Sequence, residues 1–146
     1  MLIISFAWTT AALLATEEGR DVKTCTRRSW NDGYARLFKA GTKAQAWDRS
    51  PRFKGDQVAV ISLTQDAYLE STSMAPDEDY RREGLEWMEK QGIMIPVTYK
   101  GRKLPMSPRQ FWEQWKAADE LVYVVRFQVM QRLAPVGVYL HGERTL

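Results

Sequence analysis

A chain of 146 residues with 45% hydrophobic residues is the size of one ordinary domain and can bury a single core without covalent staples. One cysteine, Cys25, and one histidine, His141, exclude an internal disulfide and a Cys/His zinc centre, so no metal or cofactor is expected and a reducing, cytoplasmic compartment is the default. The net charge of +3 is modest but uneven: residues 20–54 carry ten Lys/Arg against three acids, whereas residues 65–90 carry eight acids against three bases.

The opening run LIISFAW reads as a short buried strand over Leu2–Phe6, too soon interrupted by Thr9 and Thr10 to be a signal peptide or a membrane span. WTTAALLATEE follows, rich in helix formers, and predicts a helix that runs to Gly19. Val22–Arg28 alternates small or apolar residues with charged ones, a strand pattern. Asn31, Asp32 and Gly33 start a short helix carrying Tyr34, Leu37 and Phe38 on one face and ending near Gly41. Thr42–Asp48 and Gln57–Thr64 are strands, with a turn at Lys54–Asp56. PDEDYRREGLEWMEKQG predicts one helix with acids in its first turn and Gly92 past its end. Residues 96–105 form a loop or hairpin, and Ser107 caps a helix with Pro108 in its first turn and Phe111, Trp115 and Ala118 on one face. Leu121–Val129 is the longest strand, and the polar tail HGERTL is expected to be mobile. Strands with helices set between them point to an α+β fold with a curved or closed sheet.

The basic segment, interleaved with Trp30, Tyr34, Phe38, Trp47 and Phe53, attracts a polyanion and offers rings for bases to stack on. The plainer reading is a charged face over an aromatic core, its arginines paired with the acidic residues 65–90. No phosphate loop, nucleophile elbow or zinc-protease motif is present. With a single histidine near the chain end, a catalyst here has to draw on Lys, Thr, Glu, Arg or Tyr, most of which DVKTCTRRSW supplies. On a regular strand Lys23, Cys25 and Arg27 point to one side and Thr24, Thr26 and Arg28 to the other, so Lys23 meets Thr26 only if the strand is bent. For Lys23 to act as a base, its pKa has to fall from about 10.4 to near 7 through burial or a neighbouring cation. Glu83 is the candidate acid.

The strand and AALL helix, Gly19, the element Lys23-Thr24-x-Thr26-Arg27-Arg28, the Gly41 turn and the Glu83-Gly84 step, in that order, resemble the ASCH domain family. The resemblance covers roughly residues 2–130 and implies a small PUA-like curved β-barrel with flanking helices, one domain over residues 1–146 with an inserted helical segment around 94–118. It also implies a cleft used on RNA, nucleotides or modified bases. Some bacterial members remove the acetyl group of 4-acetylcytidine with a lysine, a threonine and a glutamate, which match Lys23, Thr26 and Glu83 here as base, nucleophile and acid/base. Thr24, Arg27, Arg28, Trp30, Trp47 and Tyr80 are the expected ligand-binding residues. One difference stands out: two more residues separate Gly19 from Lys23 than the family pattern has, and they are expected to shift the lysine's register.

Three functions follow as expectations. The first is binding of RNA or a modified nucleoside, with no membrane partner. The second is an amidohydrolase acting on a modified cytidine, and the third a metal-independent ribonuclease.

Overall fold

The computed structural model describes residues 1–140; the tail HGERTL, with His141, lies outside the described residues. Strand β1 (Leu2–Ser5) leads through a single 3-10 turn into helix α1 (Thr10–Leu14), every residue of which is buried. This burial explains why α1 stops at five residues although helix propensity runs on to Gly19: Glu17 and Glu18 cannot follow it into the core. Ala15 turns extended, and β2 (Thr16–Glu17) pairs with β3 (Arg20–Asp21) through a two-residue turn. Glu18 and Gly19 hold φ at 51° and 75° there, the left-handed pair that a tight hairpin demands.

Strand β4 (Cys25–Arg28) is shorter than the sequence pattern predicts, and α2 (Asp32–Ala35) is capped by Asn31, whose side chain accepts the Tyr34 N–H at 2.8 Å. Strands β5 (Lys43–Trp47) and β6 (Gln57–Leu63) lie where alternation places them; β7 (Tyr68–Ser71) was not anticipated. The helix expected after Pro76 is two pieces, α3 (Asp79–Arg82) and α4 (Leu85–Lys90), broken at Gly84. The segment around 94–118 is only partly helical: β8 (Ile95–Tyr99) and β9 (Arg102–Met106) form a hairpin ahead of α5 (Pro108–Ala118). The Ser107–Gln110 capping box fixes the start of α5. The long strand β10 (Leu121–Arg132) closes the sheet.

The main sheet runs β1-β5-β6-β10-β4, with β7 joined to β10. β1 and β5 are parallel and the other pairs antiparallel. β4 and β7 both pair with Tyr123 and Val124 and so take opposite edges of β10, while β6 pairs with its second half across a register shift between Val129 and Gln131 that adds twist. The fold is α+β with a sheet curled into a half-barrel. Its concave side is filled by Ile4, Phe6, Val58, Ile61, Leu63, Val125, Phe127 and α1, joined by Leu85, Met88, Ile95 and Trp112. Each such large apolar side chain contributes roughly 1.5–3 kcal/mol by leaving water. The curl also brings the two edge strands round to a common cavity, for Ser5 and Phe6 at the end of β1 and Thr26, Arg27 and Arg28 of β4 all line it. No helix among the described residues is long and apolar enough to cross a membrane.

Candidate functional site

Strict alternation would set Lys23 and Thr26 on opposite faces, but β4 begins only at Cys25. Thr24 is held in the preceding irregular backbone by its N–H to the Arg82 carbonyl (2.8 Å) and by its own carbonyl, which accepts from Phe127 N–H (2.9 Å). Freed from the strand's alternation, the Lys23 side chain reaches across and donates to the Cys25 carbonyl (2.8 Å), the Glu83 carbonyl (2.8 Å) and Glu83 Oε1 (3.2 Å). Three acceptors match the three N–H bonds of an ammonium. Lys23 is wholly buried, which pulls its pKa down, and the Glu83 carboxylate pulls it back up; burial prevails. Gly19 lies in the turn of the β2–β3 hairpin, and Arg20 and Asp21 after it form β3, two residues ahead of Lys23.

Glu83 reaches Lys23 through both its carbonyl and its carboxylate because the chain bends at Gly84, where φ is 89°. A Cβ at Gly84 would stand 2.6 Å from the Ala12 Cβ and 3.4 Å from the Lys23 Cβ. Only glycine fits both that backbone and that space. The Glu83-Gly84 step is thus a packing device that delivers a carboxylate to a buried lysine.

Both terminal nitrogens of Arg27 are engaged, while its Nε is buried without a partner. Nη1 donates to Glu83 Oε2 at 2.7 Å, Nη2 donates to Glu70 Oε1 at 3.0 Å, and Nη2 also pairs with Asp79. Burial opposes its charge, but Glu83, Cys25 and Asp79 together raise its pKa above the ordinary arginine value. Asp79 is fully buried and is shared with Arg126, which donates to both carboxylate oxygens at 3.0 and 2.8 Å, and with Arg82 at 3.2 Å. Arg126 in turn donates from Nε to the Tyr68 hydroxyl at 3.0 Å. The pairing of arginine with acids from residues 65–90 is therefore the arrangement found at Arg27, which is not an open cation. The Cys25 thiol, buried and close to Glu83, is pushed well above its ordinary pKa and is no nucleophile.

Part of this network lines a cavity of about 230 Å³ whose other walls are largely aromatic, with Ser5, Ala7, Thr9 and Leu85 among them. Lys23, Thr26, Arg27, Arg28 and Glu83 line it together with Phe6, Trp8 and the α5 residues Phe111, Trp112 and Trp115. Trp8 stands edge-on to Phe111 with centroids 5.2 Å apart, and Trp112 stacks on Trp115 at 5.5 Å. The Arg27 guanidinium lies 5.4 Å from the Trp115 ring centroid.

The proposed catalytic residues Lys23, Thr26 and Glu83 thus share one cavity with Arg27 and Arg28; the other four expected ligand contacts do not. Thr24 acts through its backbone, Trp30 stacks on Phe38 at 4.2 Å, Trp47 donates to Gln45 at 3.0 Å, and Tyr80 is buried against Trp112 with its hydroxyl on Glu89 at 2.6 Å. Trp8, Phe111, Trp112 and Trp115 were not among the expected ligand contacts, yet they line the cavity. The signal for α5 was in the sequence, since Phe111, Trp112 and Trp115 share one helical face; nothing local distinguishes such a face from an ordinary core stripe. Its other expected member, Ala118, is exposed. Among the described residues no three His, Cys, Asp or Glu side chains are grouped to hold a metal ion.

No protein-family model matches the chain. No curated protein matches it either. Among solved structures it is similar to the crystal structure of protein EF3133 from Enterococcus faecalis V583, described as family-model DUF984, at 16% identity and a TM-score of 0.48, over 90% of this chain and 77% of that one.

Proposed function

We propose that the cavity binds a modified nucleoside or its base, as the resemblance to PUA-like ASCH barrels implies. The observation that carries this reading is Lys23: a wholly buried ammonium paired with Glu83, at the foot of a cavity that also holds the Thr26 side chain and aromatic walls. At about 230 Å³ the space lies below the roughly 300–1,000 Å³ of drug-sized sites and suits a ligand the size of a base or nucleoside. The engagement of Arg27 by three carboxylates takes one cation away from the row of phosphate contacts that a long polynucleotide or a ribonuclease needs, and so favours a small ligand. Titration calorimetry with cytidine and 4-acetylcytidine tests it. Saturable binding that weakens in Trp115→Ala and Lys23→Met is expected; absence of nucleoside binding, or unchanged affinity in both variants, overturns the reading.

A second reading, amide hydrolysis, is favoured by Thr26 lining the same cavity as the Lys23–Glu83 pair. The Thr26 hydroxyl adds to the acyl carbonyl, and its proton passes to the Lys23–Glu83 pair. That proton then goes to the departing exocyclic amine as the C–N bond breaks, and water releases the acyl group from Thr26. The resting ammonium has all three N–H bonds occupied and no lone pair, so it first has to lose a proton, which its burial favours. Chromatographic detection of cytidine from 4-acetylcytidine checks this step; unchanged turnover in Thr26→Ala excludes threonine as nucleophile.

A further inference from the structure

Resting on the reading of the cavity as a nucleoside site, we infer that Arg28 is a built anion subsite within it, and that the preferred ligand carries a phosphate or carboxylate beside its base. Charge pairing leads there. Lys23, Arg27, Arg28 and Arg126 face three carboxylates, those of Glu83, Asp79 and Glu70, while Arg82 is matched by Glu78 at the surface. One positive charge is left over. It falls on Arg28, which alone of these cations pairs with no carboxylate among the described residues.

The position of Arg28 supports the same conclusion. Its Nε, like that of Arg27, is buried without a hydrogen-bond partner, but unlike Arg27 it has no ion pair among the described residues, and its guanidinium lies 5.3 Å from the Phe6 ring centroid at the cavity wall. A buried donor left unmade costs about 1–3 kcal/mol, and natural structures seldom leave a charged one so without a reason. Burial lowers the Arg28 pKa to about 10, which still leaves it charged at neutral pH. A guanidinium offers a fork of N–H donors matched to two oxygens of a phosphate or carboxylate. The contrast with Arg27 is one of contact: three carboxylates bond the adjacent arginine, whereas Arg28 feels Glu83 only at longer range and makes no ion pair among the described residues.

Phosphate and carboxylate share this chemistry, so the test separates them. Wild-type protein and the Arg28→Gln and Arg28→Lys variants are titrated with cytidine, cytidine 5′-monophosphate, orotate (a base bearing a carboxylate) and inorganic phosphate. The wild type is expected to bind at least one of the monophosphate and orotate about tenfold or more tighter than cytidine, a gap that closes in Arg28→Gln and partly survives in Arg28→Lys. The monophosphate winning identifies a phosphate ester as the anion, and orotate winning a carboxylate. Equal wild-type affinity for cytidine and both anions, or a gap that persists in Arg28→Gln, overturns the inference while leaving the nucleoside reading intact. Conversely, Arg28-dependent binding of inorganic phosphate by a protein that binds no nucleoside, nucleotide or base upholds the anion subsite and removes the nucleoside reading. No saturable binding of any of these anions overturns the subsite. Should Arg28→Gln fail to fold, the wild-type comparison and Arg28→Lys decide the matter.

Discussion

Replacing Asp79 with asparagine removes the charge at the centre of the arginine network while keeping the side chain's shape, and the expected loss can be reached by two routes. Asp79 is fully buried and serves Arg27 and Arg126 together. Breaking one partner out of a buried ion pair costs about 3–5 kcal/mol; because Arg27 keeps Glu70 and Glu83, and the Arg126 side chain retains 18% exposure, the lower end of about 3 kcal/mol applies. The second route is titration. Burial alone would raise the Asp79 pKa, but hydrogen bonds from Arg126 and Arg27 reverse this and bring it from 3.8 down to about 2. At about 1.4 kcal/mol per pH unit, that difference is worth roughly 2.5 kcal/mol at neutral pH. Since the folded value lies below the unfolded one, the stabilisation is complete above the unfolded carboxyl value of 3.8 and disappears as pH falls through about 2. Urea unfolding followed by tryptophan fluorescence should show Asp79→Asn less stable by about 3 kcal/mol at pH 7, with a Tm lower by about 9 °C. The gap should close as pH approaches 2. A variant within about 0.5 kcal/mol of wild type at pH 7, below the effect of an ordinary core change, would refute the reasoning.

Gly84→Ala should destabilise by about 2 kcal/mol or more in the same assay, since alanine pays for the φ of 89° and collides with Ala12, and ligand affinity should fall with it because Glu83 and Lys23 move. Lys23→Met should abolish hydrolysis of 4-acetylcytidine, and the wild-type rate should rise with pH along a limb centred below 10.5, since burial lowers the lysine's pKa; a flat profile there would exclude Lys23 as the titrating base. Trp30→Ala is expected to leave nucleoside affinity unchanged within a factor of about two while lowering stability by about 2–4 kcal/mol, as Trp30 packs on Phe38 away from the cavity. Titration calorimetry and urea unfolding on the same sample separate the two effects.

Local sequence was informative wherever a residue answers to its neighbours in the chain. Alternation placed β5, β6 and most of β10; Ser107-Pro108 placed the start of α5; Asn31 placed that of α2. The scarcity of histidine and cysteine turned attention to Lys23, Thr26 and the arginines beside them, the family resemblance joined Glu83 to them, and these residues line one cavity. Tertiary structure decided the rest. Propensity could not see that α1 is buried on every side and must stop before Glu17, nor that the space beside Ala12 and Lys23 breaks the later helix at Gly84. Which of two neighbouring arginines stays free depends on carboxylates about 40 to 60 residues away, brought over Arg27 by β7 and α3 and not over Arg28. Likewise an aromatic stripe on α5 reads the same whether it fills a core or walls a cavity, and the distinction arises only when the curled sheet brings β1 and β4 to face it. Pattern along the chain reports what a residue can do; the long-range closure of the sheet sets what it meets.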